Sequence, residues 1–221
     1  MYILMICLTL SAPMGPAATK KTVTLGPNVL VEIEGTKRRV VVEAVVCLNK
    51  GPLEGLLTRK MTKEHEYILA GDFDARHLHA ALLLAGAKAG KTVQFLPKYS
   101  PASGSRIGIQ LRYDKAGKTI TIPARDWIKD HKTGKTLDID WVFGGSKEVP
   151  HPEGAGKPAY YVANHGDVVC VCNMDSAMLD LPIESPKKFD IRTYEAATVA
   201  IPPIGTKVAV IFEVVEEKGG R

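Results

Sequence analysis

Glu54, Glu64, His65, Glu66, His77 and His79 form the densest group of ligand-type side chains in the sequence. A histidine between two carboxylates, as in Glu64-His65-Glu66, can bind a metal ion or act as a base held by an acid. His77 and His79 are two residues apart, which on a helix turns them about 200° from one another, so only one can join a shared site. His77 falls in a first helical turn and is expected to face solvent. His79 lies beside an apolar stripe and is the better candidate. The chemistry expected of this group is a divalent metal held by Glu54, His65 and His79 with Glu66 nearby, serving a metal-binding domain or a metal-dependent hydrolase. The competing reading makes His79 a hydrogen-bonded histidine at the core edge and Lys63–Glu66 a charged strand end, because the spacing matches no standard metal signature such as H-E-x-x-H. Cys170 and Cys172 offer a second chemistry, thiol redox. Their spacing suits small core thiols or a bridge to Cys47 better than a disulfide between the two.

Other chemistries are excluded by spacing. Gly86-Ala-Lys-Ala-Gly90-Lys-Thr has three residues between its glycines where a phosphate loop needs four. It also follows a helix and precedes a strand, the reverse of the order that aims a helix N-terminus at a phosphate, so nucleotide binding is not expected. No serine sits in a G-x-S-x-G elbow. No cysteine cluster could carry an iron–sulfur centre. The formal net charge of +5 is scattered, with only short pairs such as Lys20-Lys21 and Arg38-Arg39, so nucleic acid is not an expected partner.

The elements that must position these residues are mostly strands. Val29–Glu34 alternates apolar and acidic residues, Arg38–Cys47 is a denser valine strand, and Gly35 turns between them. His65–Ala70 reads as a strand. Asp74 is an N-cap, Phe73 and Leu78 are spaced as a hydrophobic staple, and Gly86 can close a helix over residues 74–85 in a left-handed cap. Thr92–Phe95, Arg106–Tyr113, Thr119–Ile122, Ala124–Ile128, Asp167–Asn173 and Thr206–Val215 follow as strand candidates. Ser185-Pro186 starts a second helix through Ala197. The string K-x-G-K-T occurs at Lys88, Lys115 and Lys132, each read as a glycine turn leading into a strand. Gly144–Lys157 is a Pro/Gly-rich breakpoint too short to divide the chain. Trp127 and Trp141 each follow an aspartate and read as core.

The N-terminus differs from the rest. Ile3–Leu10 is apolar and Ser11–Ala18 is small and turn-prone, which predicts a cleaved export signal over residues 1–18 although no Lys or Arg precedes the apolar run. The run is too short for a transmembrane span, which needs about 20 residues. Cys7 leaves with the leader, so residues 19–221 keep three thiols, Cys47, Cys170 and Cys172.

Five strings together resemble the YdjY domain family: GPLEGLL, KEHEYIL, HLHAALLLAGAKAGKTVQF, PARDWIKDHKTGKTLDIDWVFGGS and GDVVCVCNMDSAMLDLPIES. The resemblance spans residues 27–215. It implies a bacterial, exported, β-rich domain and carries no activity with it. The expectation is one α+β domain dominated by antiparallel sheet, with one helix packed on it. Its leading expected role is a non-catalytic binding or cell-envelope protein, periplasmic or extracellular, with an envelope protein or polymer as partner. Metal binding and thiol redox are the alternatives.

Overall fold

The computed structural model describes residues 20–184 and 193–216. The expected leader (1–18) and the start of the expected second helix (185–192) lie outside the described residues.

The first three strands follow the alternation of their sequences. β1 (Lys20–Gly26), β2 (Val29–Glu34) and β3 (Lys37–Val46) form an antiparallel meander, with Gly35 in the left-handed region at the β2–β3 turn. Val40, Val41 and Val42 are all buried, so this stretch of β3 is covered on both faces. Val40 and Val42 join the main core. Val41 joins a separate cluster with Ala209 and Ile211 on the opposite face. On that outer face Arg39 pairs with Glu213 beside the Val41–Ile211 pair, placing an ion pair next to an apolar one.

The remaining strands are β4 (Gly55–Arg59), β5 (Tyr67–Gly71), β6 (Arg106–Lys115), β7 (Lys118–Pro123), β8 (Ile128–Asp130), β9 (Trp141–Phe143), β10 (Glu148–Val149), β11 (Tyr160–Tyr161), β12 (Val169–Cys170), β13 (Leu179–Asp180), β14 (Tyr194–Ala196) and β15 (Lys207–Val214). The strand order β3-β15-β6-β9-β13-β12-β4-β5 closes through a β3–β5 pairing into an eight-stranded barrel. The meander β1–β2 extends the sheet beyond β3, and β7 extends it beyond β6. The described residues are thus mostly β with a single α-helix, as expected, but the antiparallel sheet of the sequence reading is corrected to a barrel. Two of its pairings, β4–β5 and β12–β13, are parallel. Closure escapes a sequence reading because alternation reports which face is wet, not whether a sheet's two edges meet. The clue was in β5, Tyr-Ile-Leu-Ala-Gly, buried at every position as strands covered on both faces are.

Helix α1 (Ala75–Leu84) packs on the β1–β3 extension. Asp74 caps it by accepting from Arg76 N at 2.8 Å. At the other end Gly86 N donates to Leu83 O and Ala87 N to Leu82 O, with Gly86 at φ +98°, so the chain leaves through a Schellman turn. Ala75, Leu78, Ala81 and Leu82 face the core. His77 does not face solvent as expected. Its ring lies against Gly26, where an added Cβ would come within 2.0 Å of Nδ1. Only a glycine in β1 lets the helix approach this closely.

Several short strand expectations fail for local reasons. Thr92–Phe95 contributes only an isolated bridge, Gln94 to Ser100. Ala124–Trp127 is a 3-10 turn that leads into β8. Asp167–Asn173 shrinks to Val169–Cys170, and residues 194–196, expected to be helical, form β14. Of the three K-x-G-K-T turns, Gly117 and Gly134 are left-handed, whereas Gly90 has no positive φ and instead lies against the Ser103 carbonyl. Among the described residues no helix is long and apolar enough to cross a membrane.

Candidate functional site

The polar centre of the molecule lies where β4, β5 and β12 meet. β4 and β5 are parallel, yet only residues 60–66 connect them. That connection is tightened by its own side chains: Glu64 accepts from Met61 N and Thr62 N, and Thr62 Oγ1 lies 2.8 Å from Thr58 Oγ1. The folded turn aims Lys63 inward. Its Nζ lies 2.8 Å from Asp167 Oδ1 and 3.2 Å from Glu54 Oε2. Asp167 also accepts from Tyr67 OH at 3.0 Å and, on its other oxygen, from Ser176 Oγ at 2.6 Å. Tyr67 OH lies 3.3 Å from Cys170 Sγ. Gly55 makes room for this arrangement, because a Cβ there would stand 2.0 Å from the Tyr67 ring and 2.4 Å from Val169 O.

Glu54 is 4% and Asp167 5% exposed, so the electrostatics are those of a poorly hydrated cluster. Burial pushes the Glu54 carboxyl up, a hydrogen bond with Glu66 adds to the rise, and Lys63 opposes it. Burial also works against the charged form of Asp167, but Lys63, Ser176 and Tyr67 outweigh it and hold the carboxylate below its ordinary range. Burial lowers the Lys63 ammonium, and Asp167 and Glu54 reverse that, so it stays charged. Glu54 and Asp167 therefore share one ammonium, Glu66 hydrogen-bonds to Glu54, and burial favours the neutral form of the Glu54 carboxyl.

A third buried acid, Asp180 on β13, accepts from Leu181 N at 2.8 Å, Met174 N at 3.2 Å and Asn173 Nδ2 at 3.3 Å. Burial still dominates and raises its carboxyl to about 7. A carboxyl whose folded pKa lies above its unfolded value favours the fold while protonated. Its contribution is complete below the unfolded value near 3.8 and is lost as pH rises through about 7. This group alone is expected to lower the unfolding free energy by a few kcal/mol between pH 4 and 8, at about 1.4 kcal/mol for each pH step separating its folded and unfolded pKa values. Urea titrations at pH 5 and 8 on wild type and Asp180→Asn measure this. A pH slope equal in the two proteins contradicts it.

The residues anticipated from sequence go to different places. Glu54 and Glu66 lie in the cluster. His65 sits at its rim in the turn, with its side chain 74% exposed and Nε2 3.8 Å from Glu66. His79 is on α1, with Nδ1 2.8 Å from Tyr161 OH and its ring edge-on to Phe143 at 4.9 Å. Burial lowers its pKa and so favours the neutral ring. That is the hydrogen-bonded core-edge histidine of the competing reading. No group of three or more His, Cys, Asp or Glu placed to hold a metal occurs among the described residues. Cys47, Cys170 and Cys172 are thiols outside any disulfide. Burial pushes Cys170 far up and Cys47 up to about 12, the opposite of the thiolate that redox exchange needs. Trp127 and Trp141 are fully buried, as expected of core residues.

Lys63, Tyr67, Asp167, Ser176 and Asp180 were not singled out from sequence. Asp167 and Asp180 did leave a signal: each is a lone acid in an apolar string, Gly-Asp-Val-Val and Leu-Asp-Leu. A charge placed there has to find partners when the string is buried.

An open concavity lies elsewhere. Along one edge of β3, pairing passes from β2 (Val29 to Val42) to β5 (Val45 to Ala70). The gap at Glu43 and Ala44 forms a cleft of about 340 Å³ lined by Asn28, Glu43, Ala44, Val45, Lys60, Ala70, Gly71, Asp72 and Lys207. Asn28, at φ +58°, donates from Nδ2 to Asp72 O at 2.7 Å and fixes one wall.

The sequence profile of the YdjY domain matches residues 31–213, from within β2 to the C-terminal end of β15. The chain belongs to the YdjY domain family. The match takes in every strand of the barrel, the Lys63 cluster and most of the cleft. No curated protein and no solved structure matches this YdjY domain.

Proposed function

We propose that this YdjY domain is a non-catalytic, exported binding domain of the bacterial cell envelope, and that its ligand sits in the cleft between Asn28 and Lys207. The observation that carries the reading is a separation of roles. The ionisable groups of the buried cluster are engaged with one another, while the concave, solvent-facing surface lies at the β3 edge and holds unlike charges around a floor of small residues. Lys60 and Lys207 supply cations and Glu43 and Asp72 supply anions, over Ala44, Ala70 and Gly71. Such a lining suits a polymer segment bearing both amines and carboxylates, as the stem peptides of peptidoglycan do. Export rests on the apolar leader at Ile3–Leu10.

Co-sedimentation with purified peptidoglycan tests the reading. Wild type is expected in the pellet. Val45→Trp, which fills the cleft from a 39% exposed position, and the pair Lys60→Glu/Lys207→Glu are each expected to weaken binding by about tenfold or more, equal to about 1.4 kcal/mol. Wild type remaining in the supernatant, or both variants pelleting like wild type, would overturn it.

A further inference from the structure

We propose that Lys63 and Asp167 condense to an intramolecular amide that cross-links the β4–β5 turn to the start of β12. Nζ and Oδ1 stand 2.8 Å apart, with Lys63 on the β4–β5 turn and Asp167 just before β12, which pairs with β4. Proximity of that order, held by a rigid scaffold, is the condition under which an ordinarily slow condensation becomes unimolecular. The remaining requirements of the chemistry are also present. Tyr67 OH and Ser176 Oγ donate to the two oxygens of Asp167, polarising its carbonyl and stabilising the charge that builds on oxygen during attack. Glu54 Oε2 lies 3.2 Å from the same Nζ, and burial keeps this carboxyl protonated to higher pH, so it can pass protons between nitrogen and oxygen.

The step balances without any co-reactant. The ammonium gives a proton to the Asp167 carboxylate, and the free amine attacks Cγ to form the C–N bond. Glu54 accepts a proton from the nitrogen and delivers one to the departing hydroxyl. The C–O bond breaks and one water leaves, with no change of oxidation state. An amine and a carboxyl become one neutral amide, which removes a poorly hydrated ion pair from the interior. The bond joins residues 104 apart in sequence (167 − 63), next to β12 and β13, whose two-residue lengths make them the shortest staves of the barrel. Cys47, Cys170 and Cys172 all lie outside disulfides, so among the described residues no sulfur bridge duplicates this closure.

Intact-mass spectrometry of the purified mature protein, its N-terminus fixed by sequencing, decides the matter. The wild type is expected to be lighter than its sequence mass by one water. Trypsin is expected to leave Lys63 uncut and to release one branched peptide joining the segments around Lys63 and Asp167. Lys63→Arg, which keeps the cation but changes the nucleophile, and Glu54→Gln, which keeps the hydrogen-bonding shape but cannot carry the proton, are expected to show the full sequence mass. A wild type at full mass with cleavage after Lys63, or a one-water loss mapping to other residues, overturns the proposal.

Discussion

In the Glu54→Gln background, where no amide forms, Asp167→Ala is expected to lower the unfolding free energy by about 3–5 kcal/mol, because removing one partner of a buried pair strands the other charge. Asp167 is 5% exposed and the Lys63 side chain 28%, so solvent screens little of the loss. Three donors lose their acceptor together: Lys63 Nζ, Tyr67 OH and Ser176 Oγ. In urea the midpoint should fall with the slope unchanged, which marks a change of stability rather than of the unfolded state. Lys63→Met alone should also destabilise. The double variant Lys63→Met/Asp167→Leu should cost clearly less than the two single losses added, since the two opposite charges leave together. Strict additivity would show that the two side chains do not act on each other.

Trp141→Ala is expected to cost a similar amount, about 3–5 kcal/mol, by a different mechanism. Trp141 begins β9, is fully buried, and donates from Nε1 to Cys170 O at 2.7 Å. The substitution empties a large volume and strips the Cys170 carbonyl of its donor at the point where β12 meets β4. Trp141→Phe separates the two parts. It refills most of the space and should cost about 1–3 kcal/mol for the carbonyl left without its donor. Thermal melts of the three proteins read the order directly. Trp141→Ala melting with wild type would mean that the barrel wall does not depend on this ring.

These two residues differ in how openly the sequence announced them. A tryptophan inside Asp-Trp-Val-Phe-Gly reads as core because its size and its apolar neighbours leave it few exposed places. Asp167 could be suspected of burial from Val168–Val171, but its partner Lys63 stands 104 positions earlier in a string, Lys-Glu-His-Glu, that reads as a wet strand end. What moves Lys63 inward is the short connection between two parallel strands. Seven residues cannot return the chain along β4 and also remain extended, so the segment folds into a turn and one of its side chains points to the core. His65, the residue that looked most like a ligand, is left at the rim by the same turn.

By itself, the sequence determined whatever depends on residues close together in the chain. The α1 boundaries follow from the Asp74 cap and the Gly86 exit, and the β2–β3 hairpin follows from alternation in Val29–Glu34 and a dense valine run after Gly35. Membership of the YdjY family was legible in five local strings. Only the tertiary structure decided the rest: that the sheet closes through β3 and β5, that Glu54 meets Lys63 and Asp167 rather than His79, and that the cleft opens where β3 changes partners. The physical reason is range. Capping and alternation act within a turn or two of chain, whereas barrel closure and ion pairing join segments separated by tens of residues, and no local pattern records which distant segment completes them.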